Sequence, residues 1–342
     1  VTQLMLAAAL HDRGDHNAAL ELRERTLATL LHHGADASVL VQSAQEALAR
    51  SLRAVGQRRR SLEIYALVVD RWRRQFGADA ELTLVAELGL AITRYADEDN
   101  AGALAQVEQL LPRLAGDPDG LHALTAATIR GNALFGLGRL PEARAALEAA
   151  HAAAVRTLGP DHSAALDVLD SLIYVLRAQG ELRPAYDLAV DSLARHARRL
   201  GDDHPLTLLC THHVARLEGA LGDWPSALAR ARKAADAARA RLGPRHPFAL
   251  GLRLEAGIAA MEVGELREAR ADLLEAADLL EATAGPEHPT TLRARATLAQ
   301  LALLTGDAAT SRDQLTRLHA EAARRLGDDH PEVLTLRNNL GL

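Results

Sequence analysis

Small and apolar residues recur along the chain at fixed distances from a series of glycines that stand 42 residues apart. One small residue usually lies seven positions before each glycine, another lies five positions after it, and leucines occupy the adjoining positions. The first set is Ala7, Ala49, Ala91, Gly131, Ala215, Gly257 and Ala299, with Ile173 as the exception, and the second is Ala19, Ser61, Ala103, Ala143, Ala185, Ala227, Ala269 and Ser311. Small side chains let two helices cross closely while leucine fills the space beside them. The pattern predicts pairs of antiparallel helices, A and B, with the glycine between them.

A longer phrase with the same period marks the boundary between one pair and the next. It reads LGPDHSAAL, LGDDHPLTL, LGPRHPFAL, AGPEHPTTL and LGDDHPEVL, starting at Leu158, Leu200, Leu242, Ala284 and Leu326. Glycine is favoured just after a helix, and proline is favoured in its first turn. Gly201 therefore ends one helix, Pro205 begins an A helix, Gly222 ends it, and Pro225 begins the B helix that stops at Gly243.

Repeats of this length bury their apolar faces by stacking on their neighbours. We therefore predict an all-α fold, a solenoid of antiparallel helix pairs in a single array over residues 1–342. The predicted repeats lie near 1–34, 35–77, 78–116, 117–159, 160–201, 202–243, 244–285 and 286–327, followed by a terminal helix 331–342. The third repeat has Glu98 where the series requires glycine, and we expect a bend or soft point there.

Composition and charge limit the classes of partner. Hydrophobic residues make up 48% of the chain but aromatic residues only 3%, which favours a core of alanine and leucine. The net charge is −6 and Lys233 is the only lysine, so the chain has no global positive field for nucleic acid. Cys210 is the only cysteine, which excludes an internal disulfide and favours a reducing compartment. We expect a cytoplasmic protein with no nucleic-acid partner and no membrane contact, because no apolar run is long enough to span a bilayer.

One local exception to this charge pattern is the second repeat, where arginines surround two aromatic residues. The arginines are Arg58, Arg59, Arg60, Arg71, Arg73 and Arg74, and the aromatic residues are Trp72 and Phe76. Basic side chains with interleaved aromatic residues are typical of nucleic-acid binding surfaces. Acidic residues elsewhere offset this charge, so we favour a solvated helix face, with Trp72 and Phe76 packed where two repeats meet.

Five histidines also follow the period: His162, His204, His246, His288 and His330. Successive copies are separated by two helix widths of about 8 to 10 Å each, whereas zinc ligands lie about 2 Å from a single ion. We therefore predict that the histidines fix the turns between repeats and that the chain has no metal site.

Catalytic signatures are weak. Asp167 and Asp170 lie one helical turn apart, and paired carboxylates serve in acid–base hydrolysis. Such chemistry needs a cleft that excludes water, which an open groove does not readily supply. No glycine-rich phosphate loop precedes Lys233, and Cys210 lacks the sequence context of a catalytic thiol. We predict a chain that is not an enzyme and has no cofactor.

The paired small residues and the LG..HP..L phrase resemble tetratricopeptide repeats, specifically the 42-residue kind of kinesin light chains and many bacterial regulators. The resemblance covers essentially the whole chain. It implies a right-handed α-α superhelix whose A helices line a concave groove, with short linear peptides as typical ligands.

If the family register holds, groove positions lie 13, 10, 6, 3 and 2 residues before the inter-helix glycine. The middle repeats then present Tyr95, Thr128, Asn132, Phe135, Asp167, Asp170, Tyr174, Arg177, His212 and Arg216. Aromatic and arginine side chains are common anchors in interfaces, although Phe135 and Tyr174 could equally pack between repeats. The asparagine ladder of kinesin-light-chain grooves is replaced by Ser171, His213, Glu255, Thr297 and Asn339, of which only Asn339 conforms, and this points to a particular partner.

These observations predict a non-enzymatic scaffold that binds a protein or peptide through the groove. One alternative is a sensor or oligomerising segment of a larger bacterial regulator, such as an ATPase or a transcription factor. A lesser alternative is a hydrolase that uses Asp170 in the groove. The identity of the partner and the oligomeric state do not follow from the sequence.

Overall fold

A computed structural model describes residues 2–12, 16–32, 39–114, 120–286, 288–326 and 331–340. Every regular element in these residues is helical, which confirms the all-α prediction. The helices are α1 Thr2–Asp12, α2 His16–His32, α3 Val39–Ala54, α4 Arg58–Phe76, α5 Glu81–Ala96, α6 Asn100–Leu110, α7 Leu121–Gly136, α8 Leu140–Leu158, α9 Ser163–Ala178, α10 Leu182–Leu200, α11 Pro205–Ala220, α12 Trp224–Leu242, α13 Pro247–Glu262, α14 Leu266–Ala284, α15 Pro289–Leu304, α16 Ala308–Leu326 and α17 Pro331–Leu340. Odd-numbered helices are the predicted A helices and even-numbered helices the predicted B helices.

The chain forms two compact units, an N-terminal unit Val1–Gln179 and a C-terminal unit Gly180–Leu342. Within each unit, every helix packs against the next one along the chain. A helices also contact the following A helix: α3 contacts α5, α5 contacts α7 and α7 contacts α9, and the same holds from α11 through α13 and α15 to α17. No successive B helices of one unit make a comparable contact in the described residues. The A helices therefore form the inner side of each unit, as in an α-solenoid.

The two predicted series of small residues lie where A and B helices cross. Ala49 and Ser61 are fully buried, and the Ser61 hydroxyl donates a 2.7 Å hydrogen bond to the Ala49 carbonyl oxygen. A Cβ atom added to Gly131 would lie only 2.5 Å from Cγ of Leu147 on the paired helix. The close crossing predicted from the sequence is confirmed at these positions.

Histidines cap the A helices between repeats. Nδ1 of His162, His204, His246 and His288 accepts a hydrogen bond from the backbone N–H two residues later, at 3.2 to 3.3 Å. A neutral imidazole here satisfies one of the unpaired N–H groups of a helix N-terminus. The predicted structural role is confirmed for these four, and His330 lies outside the described residues.

The third repeat keeps its inter-helix turn without glycine. Glu98 has a φ of 64°, in the left-handed region that glycine occupies in the other turns. Its N–H donates to the Tyr95 carbonyl oxygen at 3.0 Å, as that of Gly138 donates to Phe135 at 2.9 Å. The irregularity lies instead in the B helix, because α6 ends at Leu110 and continues as a 3-10 turn, Leu111–Leu114. A bend or softness at this repeat stays a prediction.

None of the described helices combines the length and apolar character needed to cross a membrane.

Candidate functional site

In the N-terminal unit, the predicted groove residues lie on three A helices that contact one another in sequence. Tyr95 is on α5, Thr128, Asn132 and Phe135 are on α7, and Asp167, Asp170, Tyr174 and Arg177 are on α9. Asp167 is exposed and the other seven side chains are half-buried. None of them belongs to the fully buried core, which contains Leu134 and Leu176 of the same helices. All eight side chains are therefore at least partly exposed to solvent.

Two residues of this face show how the surroundings affect their chemistry. Burial raises the pKa of the Tyr95 phenol above its ordinary value, so the hydroxyl remains protonated and available as a donor. The Thr128 hydroxyl donates to the Leu124 carbonyl oxygen of its own helix at 2.8 Å.

Asp167 is exposed to solvent, which is contrary to the water-excluding cleft that a hydrolase would require.

In the C-terminal unit, His212 and Arg216 of α11 converge on Glu255 of α13. Oε1 of Glu255 lies 3.1 Å from Nε2 of His212 and 3.4 Å from Nε of Arg216. Arg293 of α15 binds both carboxylate oxygens, at 2.6 Å through Nη1 and 3.0 Å through Nη2. One carboxylate thus joins the A helices of three successive repeats.

The Glu255 carboxylate is almost completely buried, with 8% of its side chain exposed. Burial alone would raise its pKa, but the hydrogen bond from His212 and the charge and hydrogen bonds of Arg293 outweigh it and hold the pKa well below its usual range. Glu255 is therefore ionised throughout the physiological pH range. It serves as the charged centre around which the three neighbouring side chains are oriented.

Neither Glu255 nor Arg293 is among the groove residues predicted from the sequence. Arg293 stands 13 positions before Gly306, so extending the same register to α15 would have included it. Glu255 stands nine positions before Gly264, where kinesin light chains have the ladder asparagine. By sequence it is therefore a departure from the family pattern and not a groove residue. Its role depends on partners that are 43 and 38 residues away.

Three of the six arginines of the basic second repeat form ion pairs. Arg73 binds the buried carboxylate of Glu87 at 2.6 Å, Arg60 binds Glu24 at 3.0 Å, and Arg74 binds Asp70. Trp72 is 1% exposed and packs in a cluster with Tyr65, as predicted. The prediction for Phe76 is wrong, because its side chain at the C-terminal end of α4 is 41% exposed.

A second polar cluster was not visible in the sequence. Ser192 and His196 of α10 meet Cys210 of α11, with Nδ1 of His196 3.3 Å from the serine oxygen and 3.4 Å from the cysteine sulfur. Cys210 and His196 are each 2% exposed. The thiol is therefore a buried packing group that solvent does not reach.

The family model for the tetratricopeptide repeat matches residues 124–164, 167–206, 207–248 and 254–290. The chain therefore contains tetratricopeptide repeats. The four matched segments contain α11 and most of α9 and α13, including Asp170, Arg216 and Glu255. The resemblance seen in the sequence is confirmed for them. Comparison with proteins of curated function gave no match.

Solved structures with tetratricopeptide-like folds are similar to this chain. A protein from Podosopora anserina, described as a kinesin light chain with nearly identical TPR-like repeats, is 23% identical with a TM-score of 0.51, covering 58% of this chain and 96% of its own. The apo quorum sensor NprR of B. thuringiensis is 14% identical with a TM-score of 0.73, covering 93% and 85%. The Rap conjugation gene regulator of plasmid pLS20, in complex with the Phr* peptide, is 15% identical with a TM-score of 0.60, covering 89% and 77%. At these identities the likeness is one of fold.

Proposed function

We propose that this chain is a non-enzymatic scaffold that binds a peptide or protein segment along its A-helix face. The observation that carries the proposal is the partial solvent exposure of three aromatic side chains on consecutive A helices of the N-terminal unit. Tyr95, Phe135 and Tyr174 are half-buried on α5, α7 and α9, whereas core positions of the same helices are closed to solvent. Half-buried aromatic side chains offer a large contact area at little entropic cost.

The fold supports this assignment. The A helices form the inner side of each unit, where side chains of successive repeats come close enough to contact one extended ligand. The Glu255 network demonstrates that closeness in the C-terminal unit, because it joins α11, α13 and α15. The Rap regulator with the Phr* peptide has a similar fold, which agrees with a peptide ligand.

A sensor within a larger regulator is the second candidate. The quorum sensor NprR is similar in fold over 93% of this chain, which supports a sensing role for the array. Both candidates use the same face and differ in what the binding event controls.

The test is selection of random peptides on the immobilised chain, followed by affinity measurements with synthetic copies of the selected peptides. We expect the double substitution Phe135→Ala, Tyr174→Ala to weaken binding by about tenfold or more, since aromatic anchors dominate such interfaces. Phe76→Ala is the matched control, because Phe76 is an exposed aromatic residue on the B helix α4. Failure to select any peptide, or equal binding by both variants, would contradict the proposal.

A further inference from the structure

A gap lies on the A-helix face of the C-terminal unit at Gly251 of α13. Seven glycines lie inside helices in the described part of the chain, and at six of them another side chain is within 3.0 Å of the place of a Cβ atom. At Gly251 no such atom lies within 4 Å of that place. Glycine inside a helix is less stable than alanine, and the packing of the chain does not require it here. The space beside Gly251 is therefore open.

The gap adjoins the Glu255 network. Gly251 stands 13 positions before the turn glycine Gly264, which is one of the predicted groove positions. It is four residues before Glu255, so the two lie one turn apart on the same face of α13. The neighbouring A helices α11 and α15 both contact α13 and carry Arg216 and Arg293, which bind Glu255. The two arginines therefore approach this face of α13 from two different helices.

The charge exposed around the gap is positive. The side chain of Glu255 is 8% exposed, whereas those of Arg216 and Arg293 are 30% and 34% exposed. Burial thus covers the carboxylate and leaves both guanidinium groups in contact with solvent. Two positive charges beside one negative charge give this cluster a net positive charge.

The remaining charged side chains of α11, α13 and α15 do not cancel this charge. Glu218 binds an arginine of α12, and Arg253 and Arg295 bind acidic residues of α14, so these three are paired with B helices. Glu262 is eleven residues after Gly251, about 16 Å along α13, whereas the screening length in physiological salt is about 8 Å. The surroundings of the gap therefore attract an anion.

The two guanidinium groups decide which anion fits. A guanidinium group donates through a flat edge of two N–H groups, which a carboxylate matches with its two oxygens. One carboxylate thus matches one arginine, as Glu255 does with both Nη atoms of Arg293. A phosphate monoester has three terminal oxygens and a charge of about −1.5 to −2, so it accepts from two arginines on different helices at once. The open space at Gly251 leaves room for this tetrahedral group.

From these observations we infer that the C-terminal unit binds a phosphorylated side chain of the ligand, with the phosphate in the gap at Gly251 and hydrogen bonds from Arg216 and Arg293. Glu255 is the positioning residue, because its contacts hold both guanidinium groups beside the gap. The inference rests on the proposed function, since the phosphate belongs to the peptide or protein segment that the A-helix face binds. Phosphorylation of that segment is then the signal that strengthens its binding.

The experiment is fluorescence anisotropy of the full chain with three synthetic peptide libraries that are random except for the central residue. That residue is phosphoserine, serine or glutamate. We expect the phosphoserine library to bind about tenfold more tightly than either of the others, because only the phosphate forms charge-assisted hydrogen bonds to both arginines. Equal binding of the phosphoserine and serine libraries would overturn the inference. Equal binding of the phosphoserine and glutamate libraries would overturn it as well, because a carboxylate would then suffice.

Two variants test the location of the phosphate. Gly251→Leu fills the gap and keeps every charge, so it should abolish the preference for phosphoserine without lowering the Tm, since leucine forms helices better than glycine. Arg293→Gln should also abolish the preference. Ala271→Leu is the matched control, because Ala271 is exposed on the B helix α14 of the same unit, and it should retain the preference. A preference that persists in Gly251→Leu would place the phosphate elsewhere and contradict the inference.

The outcomes separate this inference from the scaffold proposal. If the peptides selected on the immobilised chain bind and the phosphoserine library gains nothing, the inference fails and the scaffold proposal stands. If no peptide binds in either experiment, the scaffold proposal fails and the inference fails with it.

Discussion

At the scale of single residues, this chain departs from its own repeat pattern where charge replaces a small or amide side chain. Glu98 takes the place of a turn glycine, and Glu255 takes the place of a ladder asparagine. The two substitutions have opposite consequences. Glu98 adopts a backbone conformation that disfavours any residue with a Cβ atom, whereas Glu255 gains partners, His212 and Arg293, that hold it ionised.

Replacing Glu98 with glycine should stabilise the turn between α5 and α6. Its left-handed backbone conformation costs an L-residue about 1 kcal/mol, which glycine avoids. We expect amides near this turn that open locally to exchange with deuterium about fivefold more slowly. Glu98→Ala is the control, because it removes the charge and keeps the Cβ atom. An equal gain in Glu98→Ala would attribute the effect to repulsion with Asp97 and Asp99 rather than to backbone strain.

At the scale of elements, the A helices α9, α11, α13 and α15 begin in the same way. A histidine ring nitrogen accepts the N–H of the second helical residue, so the cap works only while the imidazole is neutral. Protonation removes the acceptor and adds positive charge at the positive end of the helix dipole. Burial lowers the pKa of His204 and of His246, and at His204 the charge of Arg241 adds to this effect. We therefore expect the repeat boundaries that His204 and His246 cap to be sensitive to acid.

The sign of the pH dependence follows from these lowered pKa values. The unfolded chain binds protons at these histidines below its ordinary histidine pKa of about 6.5, and the folded chain binds them only at lower pH. The contribution to stability is thus complete above about pH 6.5 and is lost as the pH falls through the lowered folded values. Thermal unfolding followed by circular dichroism should show a lower Tm at about pH 5.5 than at pH 7.5.

The matched variant for this prediction is His204→Asn, His246→Asn, since asparagine caps helices well and does not titrate. Its Tm should fall less between the two pH values than that of the unmodified chain. If both proteins lose the same amount, the acid sensitivity arises from other groups.

At the scale of the whole molecule, the charge is distributed as local pairs rather than as a field. The net charge is −6, and Arg60, Arg73 and Arg74 of the second repeat bind carboxylates of their own and neighbouring helices. Binding to nucleic acid requires that many phosphates be neutralised at once, which paired arginines do poorly.

We therefore expect no affinity of the chain for single-stranded DNA or RNA in fluorescence anisotropy at low salt. Arg58 and Arg59 are exposed at the start of α4 and are the residues best placed to give weak binding. Any salt-dependent binding that Arg58→Gln, Arg59→Gln abolishes would contradict the prediction and restore the second repeat as a nucleic-acid surface.

The sequence by itself determined the helix pairs, their ends and their crossing points. These features depend on short-range rules: glycine adopts positive φ after a helix, histidine and proline begin the next helix, and small residues such as Ala49 and Ser61 permit close contact. Because each rule applies every 42 residues, a single repeat register predicts the helix positions over most of the chain. The positions of the groove residues on A helices follow from the same register.

Only the tertiary structure decided which side chains meet. The convergence of His212, Glu255 and Arg293 joins three repeats. The strength of an ion pair depends on the distance between the charges and on their burial, and neither quantity follows the 42-residue period of the sequence. Phe76 illustrates the same limit, because its side chain is 41% exposed although Trp72, one turn earlier on the same helix, is buried.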